Sequence, residues 1–96
     1  MSIKIRIPTP LRRITNGLDR LEVDASTISE GIDRMDEQYP GIRDRLLDDQ
    51  GGLKEFVNIY ASGEDIRFLD GLNTKLKDGD EVSIVPAVAG GAVGTW

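Results

Sequence analysis

The chain has 96 residues, 39% hydrophobic and 30% charged, with no histidine, no cysteine and a net charge of −5. That length supports one domain around a single core, and the composition argues against disorder. Without His or Cys, no Ser-His or Cys-His pair and no zinc site of the usual ligand types can be built, and an acidic chain lacks the clustered Lys and Arg that phosphate contacts require.

In chain order, Ile3, Ile5 and Ile7 alternate with Lys4 and Arg6, which predicts a strand over Ser2 to Pro8 with the isoleucines on the core face. The same alternation is unlike a signal peptide, and no stretch approaches the roughly 20 apolar residues of a membrane span. The expectation is a cytoplasmic protein with neither membrane nor nucleic acid as a partner. Asn16-Gly17 is a turn dipeptide, and Leu21 and Val23 alternate with Arg20, Glu22 and Asp24 as a second strand. The two strands form an antiparallel hairpin, with Leu11 and Ile14 tucked under its loop.

Thr27 and Glu30 fit a capping box, and Ile28, Ile32, Met35 and Tyr39 recur on one face of a helix that Pro40 ends. Ile42, Leu46 and Leu47 among charged residues predict a short second helix, closed by Asp49-Gln50-Gly51-Gly52. Phe56 to Tyr60 reads as the clearest central strand, with Val57 and Ile59 inward and Asn58 and Tyr60 outward. Ser62 to Asp65 turns it, and Ile66-Arg67-Phe68 makes a brief return strand. Leu69, Leu72 and Leu76 anchor an irregular connection to a turn at Asp78-Gly79-Asp80. Val82, Ile84 and Val85 then form the last strand, and regular pairing stops near Pro86. The order predicts an α+β domain of the β-grasp (ubiquitin-like) type: a mixed sheet of about five strands, one main helix and a short second helix.

Acidic runs such as Asp48-Asp49 and Asp78 to Glu81 read as solvated turns, and so small a chain has little room for a substrate cleft. The composition describes a protein acted upon, not an enzyme. After Pro86 come only small or branched apolar residues around Gly90-Gly91, with nothing that titrates, binds metal or attacks a carbonyl. Two residues without Cβ let a chain thread a narrow channel and bring a main-chain carboxyl to another protein's active site.

The turn, the final strand and Pro86-Ala87-Val88-Ala89-Gly90-Gly91 resemble the ubiquitin-like sulfur carriers of the MoaD/ThiS family. Phe56-Val57-Asn58-Ile59-Tyr60, Glu64-Asp65-Ile66-Arg67-Phe68 and Gly71-Leu72-Asn73-Thr74 are similar to one branch, the carriers that serve a cysteine synthase in actinobacteria. The resemblance covers nearly the whole chain, to Gly91. It implies that Gly91 is the acyl and thiocarboxylate carrier, with Val88, Ala89 and Gly90 as the threading arm. It further implies three partners: an E1-like adenylating and sulfur-transferring enzyme using ATP, a PLP-dependent cysteine-synthase-like enzyme, and a JAMM-type zinc peptidase. No cofactor is expected on the chain itself.

The sequence departs from the family pattern in the five residues Ala92 to Trp96, which lock the Gly91 carboxyl in a peptide bond. Residues 1–91 are therefore read as the carrier domain with its tail, and residues 92–96 as an extension removed at Gly91–Ala92. A permanent block with noncovalent binding, or an appended sequence, are the other readings of this extension. Outward residues Asn58, Tyr60 and Val85 are candidates for the surface that docks the enzymes. The small subunit of molybdopterin synthase, a ubiquitin-like protein modifier and a noncovalent binding domain are the alternative functions.

Overall fold

The computed structural model describes residues 2–86. Its strands are β1 (Ser2–Arg6), β2 (Arg20–Asp24), β3 (Val57–Ala61), β4 (Glu64–Asp65) and β5 (Glu81–Pro86), and its helices are α1 (Ile28–Gln38) and α2 (Ile42–Leu46). One sheet contains all five strands in the order β2-β1-β5-β3-β4. β1 and β5 run parallel, and the remaining neighbours are antiparallel.

The alternation in β1 and β2 is realised as predicted. Ile3 pairs with Val23 and Ile5 with Leu21, and all four side chains are buried. Ile7 stays buried beyond the end of β1 because its N–H donates to Asp19 O at 2.8 Å across the hairpin. Leu11 is buried and Ile14 packs on the core from the loop, which turns at Asn16 and Gly17, both with positive φ. Arg12 is structural here: its Nε donates to Ile7 O at 3.1 Å.

The apolar stripe of α1 places Ile28, Ile32 and Met35 on the sheet, each at most 2% exposed, with Tyr39 partly buried beside them. Thr27 Oγ1 accepts from Glu30 N–H at 3.1 Å, as a capping hydroxyl does. The Glu30 carboxylate reaches back one residue further than the capping box expects, to Ser26 N–H at 2.9 Å. At Gly31 the helix comes close to the sheet, with Ile3 Cδ1 only 3.4 Å from where a Cβ would stand.

Three expectations need correction. Ile66-Arg67-Phe68 is a 3-10 turn, and the return strand is the two-residue β4 before it. The cause is local: Asp65 Oδ1 accepts from Arg67 N–H at 2.9 Å and bends the chain out of extended geometry. The segment containing Phe56 to Tyr60 is β3, Val57–Ala61, next to the short edge strand, and β5 holds the centre of the sheet. Sequence alternation marks burial of one face but carries no information about lateral position. Leu69 anchors nothing, at 41% exposed, whereas Leu76 is buried and Leu72 packs on the core.

β5 is held at its start by the turn before it. Gly79 N–H donates to Ser2 O at 2.7 Å, and Lys4 N–H to Asp80 O at 3.0 Å. The central strand therefore runs beside β1 and carries the chain out at the far end of the sheet. Five mixed strands with one main helix across a face make this a β-grasp, ubiquitin-like domain.

Candidate functional site

Val88, Ala89, Gly90, Gly91 and Ala92, the expected arm, carrier and processing positions, lie outside the described residues. The strand end that leads to them can be described in detail. β5 pairs with β3 through Ala61↔Val82, Ile59↔Ile84, Asn58↔Val85 and Val57↔Pro86. Val82 and Ile84 are buried with Val57 and Ile59, so period-2 alternation turns Ser83 and Val85 to the other face with Asn58 and Tyr60.

The three expected docking residues are thereby brought together. Asn58 and Val85 are direct cross-strand partners, and Tyr60 stands opposite Ser83 two positions along. Asn58 and Tyr60 are half-buried, and Val85 is 41% exposed. Towards β1 the same face becomes charged: Arg6 Nη1 lies 4.0 Å from Glu81 Oε1, both largely in solvent. Phe56, next to Val57 at this end, is 61% exposed, and Phe68, next to Arg67, is 87% exposed. An open cleft of about 580 Å³ adjoins this end, lined by Arg45, Asp48, Leu53, Lys54, Glu55, Phe56 and Val57.

Arg67 was missed by the sequence reading. Its Nη1 donates to Asn58 Oδ1, and its Nη2 donates to Val57 O at 2.8 Å and Lys54 O at 3.1 Å. Asn58 therefore has its side-chain carbonyl committed within the chain. The only available signal was Asp65-Ile66-Arg67, an Asp two residues before an Arg with a buried apolar residue between, which marks a turn that throws the Arg outward.

Among the described residues, no group of three or more Asp and Glu side chains is arranged to hold a metal ion, and no helix is long and apolar enough to cross a membrane. The described residues bring Asn58, Tyr60 and Val85 together on the outer face of the sheet beside the C-terminal end of β5. The fold is that of a β-grasp, ubiquitin-like domain.

The chain belongs to the ThiS family, whose model matches residues 5–91. It is 44% identical over 93 residues to the sulfur carrier protein CysO of Mycobacterium tuberculosis, covering 95% of this chain and 100% of that protein. The structure is similar to a chain of the Amycolatopsis orientalis BexX/CysO complex, with TM-score 0.87 and 42% identity over 93% of this chain and 99% of that one. Small archaeal modifier protein 3 of Haloferax volcanii is 40% identical over 68 residues, 71% of this chain and 73% of that protein.

Proposed function

We propose that the chain is a sulfur carrier whose Gly91 carboxylate, freed by removal of Ala92 to Trp96, is adenylated and converted to a thiocarboxylate. The observation that carries this reading is the 44% identity to the mycobacterial sulfur carrier over 100% of that protein's length. The family match ending at Gly91 supports the division of the chain into residues 1–91 and an extension of residues 92–96.

The chemistry asks little of the carrier. Adenylation is attack of the Gly91 carboxylate oxygen on the α-phosphorus of ATP, with pyrophosphate leaving. Sulfide, delivered by the activating enzyme from the sulfur source, then attacks the acyl carbon and displaces AMP, which leaves with one of the original carboxylate oxygens, so that the carbonyl carbon carries one oxygen and one sulfur. The carrier supplies a carboxylate on an arm without bulk at Gly90 and Gly91, and a surface at Asn58, Tyr60 and Val85 for the enzyme to hold. ATP and PLP belong to the partner enzymes: the E1-like activating enzyme, the PLP-dependent cysteine-synthase-like acceptor and the JAMM-type zinc peptidase. Transfer to the acceptor supplies sulfur for cysteine or a related metabolite, and the setting is cytoplasmic. The chain acts as their substrate, not as a catalyst.

A second reading, ubiquitin-like modification of other proteins through Gly91, is favoured by the likeness to the archaeal modifier. The molybdopterin synthase small subunit has its counterpart in a more distant mycobacterial relative. The test compares the full chain with a chain ending at Gly91, each incubated with candidate activating enzyme, ATP and a sulfur source. Intact mass should show oxygen replaced by sulfur in the shorter chain alone. Equal loading of the full chain with Ala92 to Trp96 retained would refute removal. Failure of both would leave noncovalent binding, and isopeptide adducts without thiocarboxylate would favour the modifier.

A further inference from the structure

Antiparallel strands exchange hydrogen bonds at alternate rungs. Ser62 N–H donates to Glu81 O at 2.8 Å, so the bonded rungs between β3 and β5 are Ser62–Glu81, Tyr60–Ser83 and Asn58–Val85. Val57 and Pro86 face each other across an unbonded rung, and the polar groups of Val57 point to the opposite edge. There Val57 N–H donates to Lys54 O at 3.1 Å, and Val57 O accepts from Arg67 Nη2 at 2.8 Å. The same guanidinium reaches Lys54 O at 3.1 Å and the Asn58 side chain. It thus ties together the turn before β3, the first residue of β3 and the last bonded rung with β5. Its own main chain is fixed by Asp65 and by the fully buried Ile66.

We propose that Arg67 is a positioning residue for delivery of Gly91: its guanidinium fixes the first rungs of β3 and so sets the direction in which β5 launches the arm. This rests on the carrier reading above. β1 pairs with β5 only as far as Arg6↔Ser83, and Pro86 has no N–H to extend a ladder, so β3 alone guides the last residues of β5. Docking on the sheet and insertion of the arm must occur together, so a mis-aimed arm weakens productive binding. The planar fork of arginine spreads its donors over two nitrogens, Nη1 towards Asn58 and Nη2 towards Val57 and Lys54, a span that the single nitrogen of lysine cannot reproduce.

The experiment uses the chain ending at Gly91, with Arg67→Ala and Arg67→Lys, and Arg43→Ala as control. Arg43 is likewise an exposed arginine, but it lies on the helical side, where it forms an ion pair with Asp33 at 3.3 Å. Both Arg67 variants should raise the KM of the activating enzyme for the carrier about tenfold with kcat within about twofold, and Arg43→Ala should leave both unchanged. In the full chain, amide exchange at Asn58 and Val85 should be about tenfold faster in Arg67→Ala, with Ile5 and Val23 unaffected. Unchanged exchange, an unchanged KM despite faster exchange, or full recovery of KM by lysine would each overturn the proposal. Should the unsubstituted chain fail to load, the carrier reading falls instead, and the exchange measurement still decides whether Arg67 holds these rungs.

Discussion

Val57 lies directly opposite Pro86 on a rung where neither residue owes the other a hydrogen bond. A proline at the end of the central strand therefore costs no bond between β3 and β5. Pro86→Val should keep that pairing and lower stability only by the backbone entropy that proline removes from the unfolded chain, about 0.4–1 kcal/mol. Urea unfolding measures it, and a gain in stability would mean that proline was interrupting the ladder.

Under α1 the sheet is tightly covered, and substitutions there should follow volume. Ile32, 2% exposed, should lose about 2–5 kcal/mol on truncation to alanine. Gly31→Ala places a methyl at contact distances of 3.4–3.7 Å from Ile3, Ile5 and Ala25, and gains up to about 1 kcal/mol of helix propensity. Gly31→Leu overfills the same gap and should cost about 1–3 kcal/mol. Thermal unfolding of the three variants should give the order Gly31→Ala, then Gly31→Leu, then Ile32→Ala.

Thr27 begins α1 through one side-chain bond, at 3.1 Å to Glu30 N–H. Thr27→Ala should cost about 1 kcal/mol, and Thr27→Ser much less, since the serine hydroxyl can accept the same bond. Equal losses for the two would assign the effect to the lost methyl.

Gly90→Leu, in a chain ending at Gly91, separates delivery from folding. Among the described residues the buried core runs from Ile3 to Ile84, and on the carrier proposal the arm adds nothing to it, so the unfolding midpoint should stay within a degree or so of the parent. On the carrier proposal, thiocarboxylate loading should fall severalfold, because leucine puts bulk on an arm proposed to thread a narrow channel. Normal loading would remove the argument from side-chain absence.

The sequence by itself determined most of the features that depend on near neighbours. The alternation of Ile3, Ile5 and Ile7, the stripe of Ile28, Ile32 and Met35, the Thr27 cap and the Asn16-Gly17 turn are short-range patterns, and each is present as read. The outward set Asn58, Tyr60 and Val85 was legible for the same reason, since period 2 assigns faces without knowing the partner strand. Beyond the hairpin of β1 and β2, tertiary structure decided which strands lie side by side. That β5 takes the centre, that Asn58 meets Val85 and that Pro86 meets Val57 are results of long-range pairing, which no local pattern encodes. The turn at Ile66–Phe68 shows how the two scales compete: an apolar, β-branched residue reads as strand, but the Asp65 carboxylate captures Arg67 N–H first. Arg67 was hidden for the most physical of reasons. A guanidinium reaching Lys54 O, Val57 O and Asn58 Oδ1 gains its role from groups nine to thirteen residues away, brought within about 3 Å by the fold.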